Sequence, residues 1–311
     1  MDKKIYDIAV IGGGPAGLTA ALYSSRAGMK TVLLEKAQPG GQLWWSEKIE
    51  NYPGFPEGVA SGELASRMRE QAEKFGAEVL TAELLEIGDA EEGDFTLRVS
   101  GSGGEILSRC VIAACGAKMK QIGVPGEKKL SGKGVSYCAV CDGPLFKGKK
   151  VAVIGGGTAA CEEAVFLSRF ASEVYLVHRR PRLRAVGRAV DRVNETDNIK
   201  LMLDKRLVRI NGGETVESLE FEDGSLLETD GVFIFAGLDP STGALEKTVD
   251  TREGFILTDE SLRSSRSGIY VAGDCRYGAL RQVVSACGEG AAAAEQARAY
   301  VEKLKGEAYD W

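Results

Sequence analysis

Histidine is nearly absent from this chain of 311 residues: there is one, His178. That leaves no imidazole cluster to hold a metal. Basic residues are outnumbered, 39 Lys and Arg against 45 Asp and Glu for a net charge of −6, so no general positive field exists to draw nucleic acid or an anionic membrane. Nor is there an unbroken apolar run of the ~20 residues that a bilayer span needs. The uncharged stretch from Ile8 to Ser25 is interrupted at its centre by Gly12-Gly13-Gly14-Pro15, which also disqualifies it as a signal peptide. Without a targeting segment the chain is expected in the cytoplasm. Seven cysteines are too few, and oddly numbered, for a disulfide scaffold, so any pairing among them is expected to be catalytic.

Glycine is in excess. The 40 glycines are about 13% of the chain against a usual ~7%, a sign of loops where bare backbone approaches a ligand. The remaining composition, 44% apolar and 27% charged, is that of a soluble globular protein, and the length predicts about two domains at ~150 residues each.

An internal repeat organises those domains. The β-branched run Ile5 to Ile11 enters Gly12-Gly13-Gly14-Pro15-Ala16-Gly17, then a helical stretch, then the apolar run Thr31 to Leu34 ending at Glu35. This is a βαβ unit with glycines in the G-x-G-x-x-G frame at Gly12, Gly14 and Gly17 and an acid at the tip of its second strand. Bare backbone at the turn lets N–H groups and the helix N-terminus reach a pyrophosphate, while the distal carboxylate accepts ribose hydroxyls. The pattern returns at an offset of 143 residues. Lys150 to Ile154 leads into Gly155-Gly156-Gly157-Thr158-Ala159-Ala160, a helix through Phe170 and the run Val174 to Val177, which places Gly155, Gly157, Ala160 and His178 opposite Gly12, Gly14, Gly17 and Glu35.

The copies differ where a ligand is chosen. Glu35 suits a ribose with both hydroxyls free, so the first site reads as FAD or NAD. The second replaces the acid with His178-Arg179-Arg180 and adds Arg184, and guanidinium groups suit a phosphate, so that site reads as NADPH. The plain alternatives are tight turns without ligand and a solvated charged face.

Between the frames lies Tyr137-Cys138-Ala139-Val140-Cys141-Asp142-Gly143-Pro144. A Cys-x-x-Cys pair can be half a zinc site, a redox disulfide or two buried small residues. The other cysteines form no second such pair, and the single histidine belongs to the arginine cluster, so a redox pair fits better than zinc and no metal is expected. Thiol–disulfide exchange needs a proton donor for the leaving thiolate. With His178 engaged elsewhere, Asp142 is the candidate, its other role being to cap the Asp-Gly-Pro turn. Further on, the run Gly268 to Ala272 meets Gly273-Asp274, and Arg281-Gln282 opens a small-residue helix from Val283 to about Leu304. The N-terminus of that helix suits negative charge on a reduced flavin ring.

The order of these motifs, together with Gly40-Gly41-Gln42-Leu43 and Glu50-Asn51-Tyr52-Pro53-Gly54, resembles that of the bacterial low-molecular-weight thioredoxin reductases over essentially the whole chain. The resemblance implies an α/β fold of two Rossmann-like dinucleotide-binding domains of the three-layer ββα type, the second inserted into the first. An FAD-binding domain would comprise residues 1–118 and 246–311, and an NADPH-binding domain carrying the cysteine pair residues 119–245. It implies Cys141 as the sulfur facing the flavin, Cys138 as the one that attacks the thioredoxin disulfide, and Asp142 as the acid. Arg179, Arg180 and Arg184 would hold the 2′-phosphate of NADPH, while Gly41, Gln42, Asn51, Gly273, Asp274, Arg281 and Gln282 join cofactor binding. A homodimer is the family's usual state. Because disulfide and nicotinamide would compete for one flavin, the inserted domain is expected to swing about connections near Gly116 to Gly126 and Gly237 to Gly243.

Some positions depart from the family pattern. Trp44 and Trp45 stand where small hydroxyl residues are common; as neighbours on a strand they would face opposite ways, one packed and the other partly exposed. Cys115 replaces the usual Thr, and Thr158-Ala159 an Asn-Thr pair. Two other functions remain open on the residues: a same-fold disulfide reductase fed by NADH or ferredoxin, and a redox-sensing module that holds FAD and nucleotide without turnover.

Overall fold

Apolar runs rich in β-branched residues form the parallel strands of this protein, as such side chains favour a pleated and buried surface, and two of them, Ile5–Ile11 and Lys150–Ile154, run directly into glycine. The computed structural model describes residues 4–45, 48–90, 94–101 and 104–307. Among these residues are six α-helices: Pro15–Arg26 (α1), Ser61–Lys74 (α2), Ala139–Asp142 (α3), Thr158–Leu167 (α4), Arg188–Asn194 (α5) and Val283–Lys305 (α6). No helix among them is long and apolar enough to cross a membrane. The chain divides into two compact units, one of residues 1–118 with 239–311 and the other of residues 119–238.

In the discontinuous unit, Glu78–Thr81, Thr31–Glu35, Ile5–Ile11 and Glu105–Ala113 lie side by side in parallel. The far edge of Glu105–Ala113 is shared. Its first half pairs antiparallel with Phe95–Val99, and its last residues pair in parallel with Ile269–Val271, Ala113 opposite Val271. Ile8, Val10, Leu33 and Ile112 point to the face covered by α1 and α6. Ala9, Ile11, Val32, Leu34 and Val111 point to the other, where Phe95 and Leu97 of the antiparallel layer close the core. The α6 helix approaches α1 closely because it offers glycine: a Cβ on Gly290 would overlap the Ala16 carbonyl.

The continuous unit repeats this plan. Five parallel strands run in the order Val135–Ser136, Gly231–Ile234, Lys150–Ile154, Glu173–Val177 and Ile199–Met202. The helices α4 and α5 cover one face, and the antiparallel strands Leu207–Asn211, Ser218–Phe221 and Leu226–Glu228 the other. Each unit is therefore a helix layer, a parallel sheet and an antiparallel layer, the three-layer α/β class that the family resemblance implies. The register survives folding: β-strand Ile5–Ile11 ends 143 residues before Lys150–Ile154 does, and α1 begins 143 residues before α4. The fourth helix stops at Leu167, three residues short of the expected Phe170, where Phe170 turns instead to donate its N–H to the Leu167 carbonyl.

Trp44 lies in a 3₁₀ turn, Gly41–Trp45, rather than a strand. Its indole donates to the Pro39 carbonyl at 2.9 Å and packs against Gly40 and Gly62, while 41% of the residue remains exposed. The Trp45 side chain lies outside the described residues.

Candidate functional site

Parallel α/β sheets bind ligands beyond the carboxyl ends of their strands, and both glycine frames stand there. In the first unit, Gly12 has φ of +103°, and a side chain would collide with the Ala114 carbonyl. A Cβ on Gly17 would overlap the Gly12 carbonyl, which makes that glycine a condition for seating α1 on the strand. Gly14 is different. It precedes α1 in extended conformation, and a Cβ built on it meets nothing within 4 Å. The backbone is thus bare and open where the first N–H groups of α1 point outward, the arrangement that suits a pyrophosphate.

Glu35 ends its strand beside this turn. Its carboxylate accepts from the Gly13 N–H at 2.7 Å and from the Ala37 N–H at 3.0 Å, and the Gly40 N–H donates to the Gly13 carbonyl, so the two glycine loops brace one another. A Cβ on Gly41 would come 3.0 Å from the Gly14 Cα, so the two loops approach closely there. Next along, Gln42 donates to the Asp274 carboxylate at 2.9 Å, and Asn51 donates to the Gln282 side-chain oxygen at 3.0 Å. Gly273 has φ of +77° and donates its N–H to Glu289 of α6, whose carboxylate also pairs with Arg276. Burial raises the Asp274 carboxyl pKa, against the opposing pull of Arg281 and the Gln42 hydrogen bond. Arg281 itself stands at positive φ and lies over the Phe255 ring at 5.2 Å. The residues from four separate stretches of sequence therefore line one edge of the sheet, with the N-termini of α1 and α6.

The second frame is tighter. A Cβ on Gly155 would come 2.7 Å from that of Ala160, and one on Gly156 would overlap the His178 ring. The Arg184 and Ala185 N–H groups donate to the Gly156 carbonyl at 2.6 and 3.0 Å, which fastens the arginine segment onto the glycine turn. Arg179, Arg180 and Arg184 are exposed, whereas His178 is buried, and its Nε2 has no hydrogen-bond partner among the described residues. Burial, reinforced by Arg184, Arg180 and Arg179, lowers the imidazole pKa. His178 is thus a neutral ring packed under the loop, and the charge that faces solvent comes from the three guanidinium groups.

The cysteine pair belongs to the continuous unit. Cys138 and Cys141 form a disulfide with Cα atoms 5.3 Å apart, both residues partly exposed. Cys138 precedes the single turn of α3, and its Sγ accepts from the Cys141 N–H at 3.1 Å. Asp142 closes that turn. Its carboxylate leaves the following Gly-Pro turn uncapped and instead accepts from Ser136 Oγ at 2.6 Å. The same oxygen receives the Cys138 N–H at 3.1 Å. Burial raises the Asp142 pKa, and the Ser136 hydrogen bond offsets part of that rise. Beside it, Tyr137 donates to Glu127 at 2.8 Å, and the buried Glu127 also takes the N–H groups of Ile122 and Gly123. Ser136, Tyr137 and Glu127 were not singled out from sequence; the one signal for Ser136 is a hydroxyl residue two positions before the first cysteine.

Residues 6–290 match the family described as pyridine nucleotide-disulphide oxidoreductase. The thioredoxin reductase of Bacillus subtilis is 44% identical over 311 aligned positions, covering 98% of this chain and 97% of the relative. Among solved structures, the thioredoxin reductase of Streptococcus pyogenes superposes with a TM-score of 0.91 at 37% identity, covering 97% of this chain and all of that one. That of Giardia duodenalis gives 0.91 at 35% identity, covering 96% and 99%.

Proposed function

The chain belongs to the pyridine nucleotide-disulphide oxidoreductase family, and from that membership we propose that it is an NADPH-dependent flavoenzyme that reduces the disulfide of a thioredoxin-like protein. The observation that carries this reading is the Cys138–Cys141 disulfide held beside a partly buried acid, in the unit whose glycine frame ends in exposed arginines. The relatives are named for thioredoxin, and a small thiol protein of that kind is the substrate assigned here. We place the enzyme in the cytoplasm as a homodimer, after the habit of the family it resembles.

The residues fit both groups. Gly12, Gly14 and Gly17 leave the bare turn that a pyrophosphate requires, with Gly41, Gln42, Asn51, Gly273, Asp274, Arg281 and Gln282 along the same sheet edge for FAD and Glu35 for its ribose. Gly155, Gly157 and Ala160 repeat the turn for NADPH, His178 packs beneath it, and Arg179, Arg180 and Arg184 offer forked donors to a 2′-phosphate. Bound FAD would supply the two-electron chemistry that joins a pyridine nucleotide to the disulfide.

Once reduced, Cys138 attacks the partner's disulfide as a thiolate, forming a mixed disulfide and releasing one partner sulfur. Asp142 delivers the proton that this leaving sulfur requires. Its raised pKa keeps the carboxyl protonated to higher pH than an exposed carboxylate allows, and Ser136 holds it beside the turn. Cys141 then attacks the Cys138 sulfur, restoring the internal disulfide and freeing the partner as a dithiol.

Anaerobic stopped-flow mixing with NADPH and NADH side by side tests the donor. The reading requires rapid bleaching of the flavin absorbance by NADPH and a much slower response to NADH. Equal rates would transfer the assignment to a same-fold reductase with a different donor.

A further inference from the structure

Two cysteines outside the Cys138–Cys141 pair meet in the discontinuous unit. Cys115 follows the strand Glu105–Ala113, and Cys275 follows Ile269–Val271. These strands are parallel neighbours with Ala113 opposite Val271, so both thiols emerge at the same carboxyl edge. Both side chains pack in one apolar cluster, close enough for each thiol to shift the ionisation of the other. Cys275 is fully buried, with its Sγ 3.5 Å from the main-chain oxygens of Ala113 and Ala272, whereas Cys115 is partly exposed and packs against the same apolar cluster.

We propose that Cys115 and Cys275 are a second dithiol, oxidised reversibly to a disulfide by peroxide. A thiol open to a small solute, in contact with a second thiol shielded from it, is the arrangement in which oxidation of the first is trapped by the second. Peroxide reaches Cys115, whose sulfur takes one peroxide oxygen to become a sulfenic acid while the other oxygen leaves as water. The Cys275 sulfur then displaces the sulfenic hydroxyl, which departs as a second water with the Cys275 proton. Two thiols lose an electron pair in all, and one peroxide accepts it.

The neighbouring thiol and burial together raise the Cys115 pKa, so the first step is slow and belongs to peroxide excess. The Cys275 sulfur packs in the same cluster, placed to trap the sulfenic acid before a second oxidation. The crosslink would sit under the first glycine frame, since the missing side chain of Gly12 faces the Ala114 carbonyl and the Cys115 Cα. It would also close a covalent loop that contains all of residues 119–238, which restricts the unfolded chain.

The test uses the holoenzyme, reduced with dithiothreitol, desalted, treated with excess hydrogen peroxide, then unfolded, alkylated with N-ethylmaleimide, digested and examined by mass spectrometry. A peptide carrying Cys115 linked to one carrying Cys275, and released by dithiothreitol, is the expected result. The thermal midpoint of the oxidised wild type should exceed that of the reduced form by several degrees more than in Cys115→Ser or Cys275→Ser, which retain the Cys138–Cys141 pair. Recovery of both cysteines as N-ethylmaleimide adducts overturns the proposal. So does Cys115 as sulfinic acid with Cys275 unlinked, and this wild-type result stands even if a variant misfolds.

Discussion

Ser136 donates to the Asp142 carboxylate at 2.6 Å while accepting the Cys138 N–H at 3.1 Å, so one hydroxyl positions the acid and the first sulfur of the disulfide turn together. Burial raises the Asp142 pKa and this bond restrains the rise. In Ser136→Ala the restraint is gone. The limb on which disulfide exchange declines as Asp142 loses its proton should therefore move to higher pH, and Ser136→Thr should return it toward the wild-type position. A pH profile of kcat/KM for the protein disulfide reads this directly, and an unmoved limb would detach Asp142 from the proton transfer.

The same burial has a thermodynamic sign. Asp142 binds its proton more tightly in the folded chain than in the unfolded one. Its contribution is thus favourable below the unfolded pKa and is lost as pH rises through the folded one, leaving a cost at neutral pH. Asp142→Asn should raise the thermal midpoint near pH 8, and the gain should vanish below about pH 4, where the acid is protonated in both states. Exchange with the partner disulfide should fall by about 10²-fold or more.

Gly14 and Gly17 separate binding from folding. A methyl at Gly17 strikes the Gly12 carbonyl, whereas one at Gly14 enters open space. Gly17→Ala should destabilise the protein by about 1–3 kcal/mol or more through overpacking, visible as a lower unfolding midpoint with or without flavin. Gly14→Ala should leave the apoprotein midpoint unchanged and weaken flavin retention on dialysis.

Arg179, Arg180 and Arg184 are exposed around a buried neutral His178. Replacing each by alanine should raise KM for NADPH by about 10-fold, the worth of one hydrogen bond to a charged group, with little change for NADH. The ratio of the two kcat/KM values is the readout, because damage to the fold lowers both.

Much of this architecture was legible because it rests on local, periodic constraints. Gly12, Gly17 and Gly155 stand where any side chain would strike main chain or a facing Cβ, so glycine spacing reports geometry at once. The two frames kept their 143-residue register because each strand and helix pair needs the same length to close. The 3₁₀ turn at Gly41–Trp45 is not legible locally, because two adjacent aromatics read as a strand, whereas Gly40 and Gly41 at positive φ turn the chain there. Contacts between distant residues left no local trace. Gln42 and Asp274 are 232 positions apart, and the Cys115–Cys275 contact depends on two strands becoming neighbours. Ser136 carries no distinctive signal for the opposite reason: a serine near a cysteine is common, and only the turn of α3 swings Asp142 back to it.

Anaerobic titration with NADPH, followed in the visible flavin band, tests the central claim most directly. The account predicts that the wild type takes up one electron pair for the flavin and one for the Cys138–Cys141 disulfide, and that Cys141→Ser takes up only the first. Equal uptake by wild type and variant, or a purified protein with no visible band that gains none on adding FAD, would contradict it.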